Sequence, residues 1–143
     1  IAISNDGNYI ICETSASFDG DIHLFHKSSS TPLWSKDLGD SIYDVDISAD
    51  GSYIVACGGD GNLYLFHRDS STPIWNLTVG EYDFLACAIS DDGYWIAAGH
   101  CNGNIYMLNR TSSRPMWSYH YLSEVYNIDM SADGSLFVVQ HGY

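Results

Sequence analysis

Several groups of residues in this chain are of types that do chemistry, and their spacing limits what each can do. His23 and His26 form an HxxH pair. On an extended strand, positions three apart point to opposite faces, so the pair cannot close on one metal ion. His26 and His67 are followed by Lys27 and Arg68, and Asn109-Arg110 repeats the arrangement. A polar residue recurring there marks a hairpin terminus rather than a ligand array. His100 and His141 also correspond, and they read as structural residues near a turn. Cys12, Cys57, Cys87 and Cys101 show no CxxC spacing, which excludes a zinc knuckle or a thioredoxin-like pair. Their even number permits two disulfides in any of three pairings, but they read as small buried hydrophobes in strands. Asp44 and Asp46 are matched by Asn127 and Asp129. Such oxygen donors suit a cation like Ca²⁺, although the third copy of the position carries Ala86 and Ala88. No GxSxG elbow, P-loop or HExxH is present, so no catalytic residue and no cofactor is assigned. Asn76-Leu77-Thr78 and Asn109-Arg110-Thr111 are N-glycosylation sequons.

Composition narrows the field further. The chain has 143 residues, 45% of them hydrophobic and 14% aromatic, unlike a disordered acidic tail. The longest clean apolar run is Phe84 to Ile89, too short for a membrane helix, so no membrane insertion is expected. Five Lys and Arg stand against eighteen Asp and Glu, a net charge of −13. No basic stripe exists to read nucleic acid or an anionic membrane. Fifteen of the eighteen acids are Asp, and Asp6, Asp19, Asp50, Asp60, Asp92 and Asp133 each precede Gly. Much of the acidity is thereby turn chemistry.

The elements that position these residues come from a repeat. Ile3-Ser4-Asn5-Asp6-Gly7 recurs as Ile47-Ser48-Ala49-Asp50-Gly51, Ile89-Ser90-Asp91-Asp92-Gly93 and Met130-Ser131-Ala132-Asp133-Gly134, at spacings of 44, 42 and 41 residues. Pro-x-Trp recurs at Trp34, Trp75 and Trp117. Three extra residues between Tyr9 and Asp19, and one between Trp75 and Ile89, account for the irregularity, leaving a 41-residue unit. The repeats run over about 1–40, 41–81, 82–123 and a partial 124–143. Each unit predicts four short strands: A over Ser41 to Ser48, B over Tyr53 to Gly58, C over Leu63 to His67 and D over Ile74 to Val79. Strand B is apolar on both faces and must be buried on both. Strand D has one mixed face, as suits an outer strand.

Four-stranded antiparallel units of this length cannot bury their faces singly, and closed stacking of such units is a β-propeller. The Ser-x-Asp-Gly turn before an apolar strand B resembles WD-repeat propellers. The run Gly61-Asn62-Leu63-Tyr64-Leu65-Phe66 through Thr72-Pro73-Ile74-Trp75 resembles the quinoprotein-like (PQQ-like) repeat. Strand C ends in Phe25-His26, Phe66-His67 and Leu108-Asn109 where a WD repeat has Trp-Asp, and Ser-Thr-Pro replaces the quinoprotein-like Thr-Gly. The resemblance implies an all-β propeller of mixed type in which strand A is innermost, so that Asp44, Asp46 and Asp129 would line a channel and hydrogen-bond to neighbouring blades or water, or hold a cation. It also implies that Trp34, Trp75 and Trp117 pack between blades rather than forming a carbohydrate-stacking platform.

The expected function is a non-enzymatic binding or structural scaffold with a protein or glycan partner. Accessible sequons at Asn76 and Asn109, few Lys and abundant Ser, Asn and Gly favour a cell-surface or secreted setting; the free cysteines pull the other way. The alternatives are a fragment of a quinoprotein-like oxidoreductase or an intracellular WD-type adaptor. Fourteen strands make three and a half blades, and Ile1 aligns with Val45 inside strand A. Closed propellers have 4–8 blades, so further blades are expected before Ile1 and after Tyr143, in a ring of seven or eight.

Overall fold

The computed structural model of the protein describes residues 1–16 and 19–142. The described residues are all-β and form three four-stranded antiparallel sheets and one two-stranded sheet. The first blade is β1 (Ala2–Ile3), β2 (Tyr9–Ala16), β3 (Asp19–His26) and β4 (Trp34–Asp37). The second is β5 (Ile42–Ile47), β6 (Tyr53–Gly58), β7 (Asn62–His67) and β8 (Trp75–Thr78). The third is β9 (Phe84–Ile89), β10 (Trp95–His100), β11 (Asn104–Asn109) and β12 (Ser112–His120), and β13 (Val125–Met130) with β14 (Phe137–His141) forms the inner half of a fourth. Strands neighbour each other in chain order within every sheet. This is the blade arrangement of a β-propeller, and the predicted A-B-C-D order holds with ends shifted by a residue.

Two local readings are corrected. Asp19-Gly20 lies in the β2–β3 ladder, with Asp19 opposite Ala16, rather than in a turn; Ser17 and Phe18 lie outside the described residues. In the third blade the Ser-Arg-Pro run ahead of Trp117, a turn signal by its composition, is strand. Thr111 donates to the Asn109 side chain from both its N–H and its hydroxyl, so the chain reverses at once and β12 begins at Ser112. Pro115 is tolerated within it because β12 is an outer edge strand with no further ladder to donate to.

The core lies between blades, not within one sheet. Ile11, Ile22 and Leu24 of the first blade pack on Val45, Ile54 and Phe66 of the second. Val55, Leu63 and Leu65 meet Phe84, Ile96 and Leu108 of the third, and Ala86, Ala97 and Met107 meet Val125 and Ile128. Strand B is apolar on both faces for this reason: each face fills a different seam.

The first two seams are each closed by a set of polar contacts. The Trp34 indole N–H donates to the Arg68 carbonyl at 2.6 Å, and Trp75 donates to that of Arg110 at 3.0 Å. The Arg68 guanidinium lies 4.5 Å over the Tyr9 ring and donates to the Asp50 carbonyl. Arg110 lies 4.8 Å over Tyr53 and donates to Asp92 in the same way. A chain of backbone hydrogen bonds joins the A–B turns, from Asn5 N–H to Ala49, Ala49 to Asp91 and Asp91 to Ala132, each 2.9–3.0 Å. Trp75 is largely buried where it packs against the seam between the second and third blades. Trp117 is 43% exposed, with Phe137 stacked on it at 5.8 Å.

The aromatic at the start of strand B seats on the glycine of the next A–B turn. A Cβ on Gly51 would stand 2.4 Å from the Tyr9 ring, one on Gly93 2.5 Å from Tyr53 and one on Gly134 2.3 Å from Trp95. Gly51 also has φ +70°, whereas Gly39, at φ +83°, has open space around it. Gly39→Ala should therefore cost about 1–2 kcal/mol for the backbone alone. Gly51→Ala should cost at least ~1–3 kcal/mol more, the typical cost of overpacking. Chemical denaturation of the two variants checks this, and equal costs would show that the seat is not packed.

Candidate functional site

The sequence directs attention first to the axis. Asp44 accepts the Cys87 N–H at 2.9 Å on one oxygen and its neighbour Val45 N–H at 3.0 Å on the other. Asp46 accepts Ile89 N–H at 2.9 Å and Ile47 N–H at 2.8 Å. These carboxylates on β5 occupy the free edge donors of β9. Asp129 accepts the Met130 N–H. A polar recess of about 210 Å³ includes Asn5, Asp46, Asp91 and Asp129 in its lining. Among the described residues, no three His, Cys, Asp or Glu side chains meet as a metal site. Burial pushes the Asp46 carboxyl up to about 6, against the pull of its two N–H donors, with the Asp44 and Asp129 charges adding. Burial likewise raises Asp44.

The other candidates separate. His23 bonds Ser35 and His26 bonds Ser28, each at 2.7 Å, so the HxxH residues serve different neighbours. His67 and His26 lie edge-on to Tyr53 and Tyr9. His100 is fully buried among Tyr82, Phe84 and Tyr106. Its Nδ1 accepts the Asn102 N–H, its Nε2 has no partner, and burial lowers its pKa. The four cysteines are free thiols. Cys57 and Cys87 share one seam, where burial and then the neighbouring Cys57 thiol raise the Cys87 pKa. Asn76 is exposed on β8 and donates to Asn62; Asn109 is half-buried at the end of β11.

The two ends of the blades differ in a way the motif search did not single out. At the A–B end the Asp before each turn glycine is engaged by its own turn. Ser4, Ser48, Ser90 and Ser131 donate to Asp6, Asp50, Asp92 and Asp133 at 2.6–2.9 Å. The Ser135 N–H and hydroxyl, with Ser131, hold the Asp133 carboxyl down to about 2. Lys27, Arg68 and Arg110 stand at this end, in or beside the C–D turns. At the opposite end, the B–C turns and D–A connections carry Asp40, Asp60, Glu81, Asp83 and Glu124, and no Lys or Arg among the described residues. Tyrosine hydroxyls donate to these acids: Tyr43 to Asp83 at 3.4 Å, Tyr64 to Asp60, and Tyr126 to Glu124. Tyr82 pairs with His100 and Tyr121 with His141. A cleft of about 340 Å³ between Cys101, Leu122, Glu124 and Tyr126 opens there. The signal was available in the sequence: acids without bases in alternate turns.

The axial carboxylates carry a pH signature. Because the folded pKa of Asp46 lies above its ordinary value, its contribution to stability is fully present below about pH 4. It is lost as pH rises through about 6. Asp46→Asn removes this titration. The stability of the variant relative to the native chain should therefore rise between pH 4 and 7, by about 2–3 kcal/mol at most. Denaturation curves across that range test the sign; a difference independent of pH would contradict it.

Among comparisons with known proteins, residues 34–67 match the family model of the WD domain, G-beta repeat, and no curated protein matches the chain. The matched span runs from β4 through β5 and β6 to β7, the outer strand of one blade and three strands of the next. It therefore includes Trp34 and the second blade's side of the first seam, and ends at the residue before Arg68. By this match and by its sheets, the chain carries a WD40-type repeat within a β-propeller architecture.

Proposed function

We propose that the chain is a non-enzymatic scaffold that binds other proteins through the turns at one end of its blades. The observation that carries this is the division of labour between the two ends. At the A–B end the turn residues are consumed in joining blades. At the other end Tyr43, Tyr82, Tyr126 and Leu122 stand exposed, on connections held in place by the rigid sheets beneath them. Exposed tyrosines are enriched at protein interfaces. The WD40 match supports the same reading.

We further propose an extracytoplasmic setting, with glycan on the chain or on its partner. Its support is the exposure of Asn76 and the position of Asn109 at a strand end, each followed two residues on by Thr. Cross-linking of the purified protein in extracts of its source tests the scaffold. Tyr82→Ala should lose a defined set of cross-linked proteins that Asp69→Asn retains. Loss of none by any substitution at the B–C end would contradict the reading. Mass spectrometry of Asn76 and Asn109 before and after enzymatic deglycosylation tests the setting; unmodified asparagines would contradict it.

A further inference from the structure

Resting on the scaffold reading, the geometry points to a specific partner chemistry: we infer that the B–C and D–A end docks a Lys- or Arg-rich extended peptide segment of another protein. Its most accessible aromatics are Tyr82, 60% exposed, and Tyr126, 51% exposed, with Leu122 at 96%. No described residue covers them, and an aromatic surface of this kind is worth little unless something packs on it.

Charge decides the occupant. Glu81, Asp83 and Glu124 belong to the same connections as these tyrosines and Asp40 to the preceding one; the described turn residues at that end include no Lys or Arg, and Lys36 stands beside it within β4. The cations at the other end are placed elsewhere: Arg68 and Arg110 hold the seams through Tyr9 and Tyr53. An anionic segment would be repelled here. An ammonium or guanidinium group would meet carboxylates that attract it and aromatic faces that can take it directly. The hydroxyls of Tyr43 and Tyr126 already donate to Asp83 and Glu124. Their rings are thereby fixed in orientation, and the carboxylates keep a free lone pair for a further donor. His100 lies beneath Tyr82 with its Nδ1 accepting Asn102 N–H, and burial keeps it neutral, so it does not add positive charge under the surface.

The test uses the purified full-length protein and a fluorescein-labelled peptide of alternating lysine and glycine, with glutamine replacing lysine in the control peptide. Fluorescence anisotropy at about 0.15 M salt, where long-range attraction is screened, should show binding of the lysine peptide only. The double variant Glu81→Gln, Asp83→Asn should weaken it about fivefold, and Tyr82→Ala about threefold. The double variant Asp69→Asn, Asp91→Asn changes net charge equally at the opposite end and should leave affinity within about twofold. Glu81→Gln alone touches no hydrogen bond of the fold and keeps the test valid if a double variant unfolds. Equal loss in both double variants would show attraction to net charge alone and overturn the inference, as would equal binding of the glutamine peptide. Absent lysine-peptide binding with cross-linking to other proteins retained would overturn the partner chemistry alone; loss of both would overturn the scaffold itself.

Discussion

The contact on which the structure depends is the indole of one blade bonded to the backbone of the next. A four-stranded sheet of this composition has two apolar faces and no stable existence alone. Burial between blades supplies the bulk of the stabilisation. It is non-directional, so sheets could slide along one another at little cost. The hydrogen bonds from Trp34 to Arg68 and from Trp75 to Arg110 remove that freedom. Each contributes only about 1 kcal/mol net, and the guanidinium over tyrosine about as much again. These magnitudes are small beside a seam holding ten or eleven buried side chains, so their effect is on register. Arg68 is bound at its carbonyl by one blade, at its guanidinium by the turn of its own, and over a ring of the first. Lysine, with a single point charge, cannot span that set.

The same need for satisfied polar groups explains the acids. An inner edge strand exposes N–H groups toward its neighbour, and an unpaired donor there is costly. Asp44 and Asp46 occupy those of Cys87 and Ile89. The turn aspartates take up serine hydroxyls and backbone N–H groups at the A–B end. What remains is the set at the B–C end, whose carboxylates face outward among tyrosines. Part of the net charge of −13 is thus structural, and the outward set at the B–C end is free to act on another molecule.

The repeat made the fold legible, because Ser-x-Asp-Gly and Pro-x-Trp recur at fixed offsets and each implies a strand on either side. The number and order of strands followed directly. Less legible was how deeply each tryptophan sits: Trp75 and Trp117 share a position in the repeat, yet their exposure is set by the flanking blade. The third C–D connection escaped because the side-chain bonds of Thr111 to Asn109 override the Ser-Arg-Pro turn signal. The pairing of Tyr9 with Gly51 and of Arg68 with Tyr9 was hidden for a different reason. These residues lie 42 and 59 positions apart, and only stacking of blades brings them together. The axial aspartates were singled out by their inner-strand position, but their partners are backbone groups, which leave no mark in a sequence.

Hydrogen exchange at single amides tests the interlocking of blades most directly. Ala49 and Asp91 lie in turns, where amides ordinarily exchange quickly, but here they donate to the carbonyls of the next blade. The account predicts that their amides, and the indole N–H groups of Trp34 and Trp75, exchange as slowly as the amides of β6. Exchange of these protons at the rate of an open turn, while β6 stays protected, would contradict it.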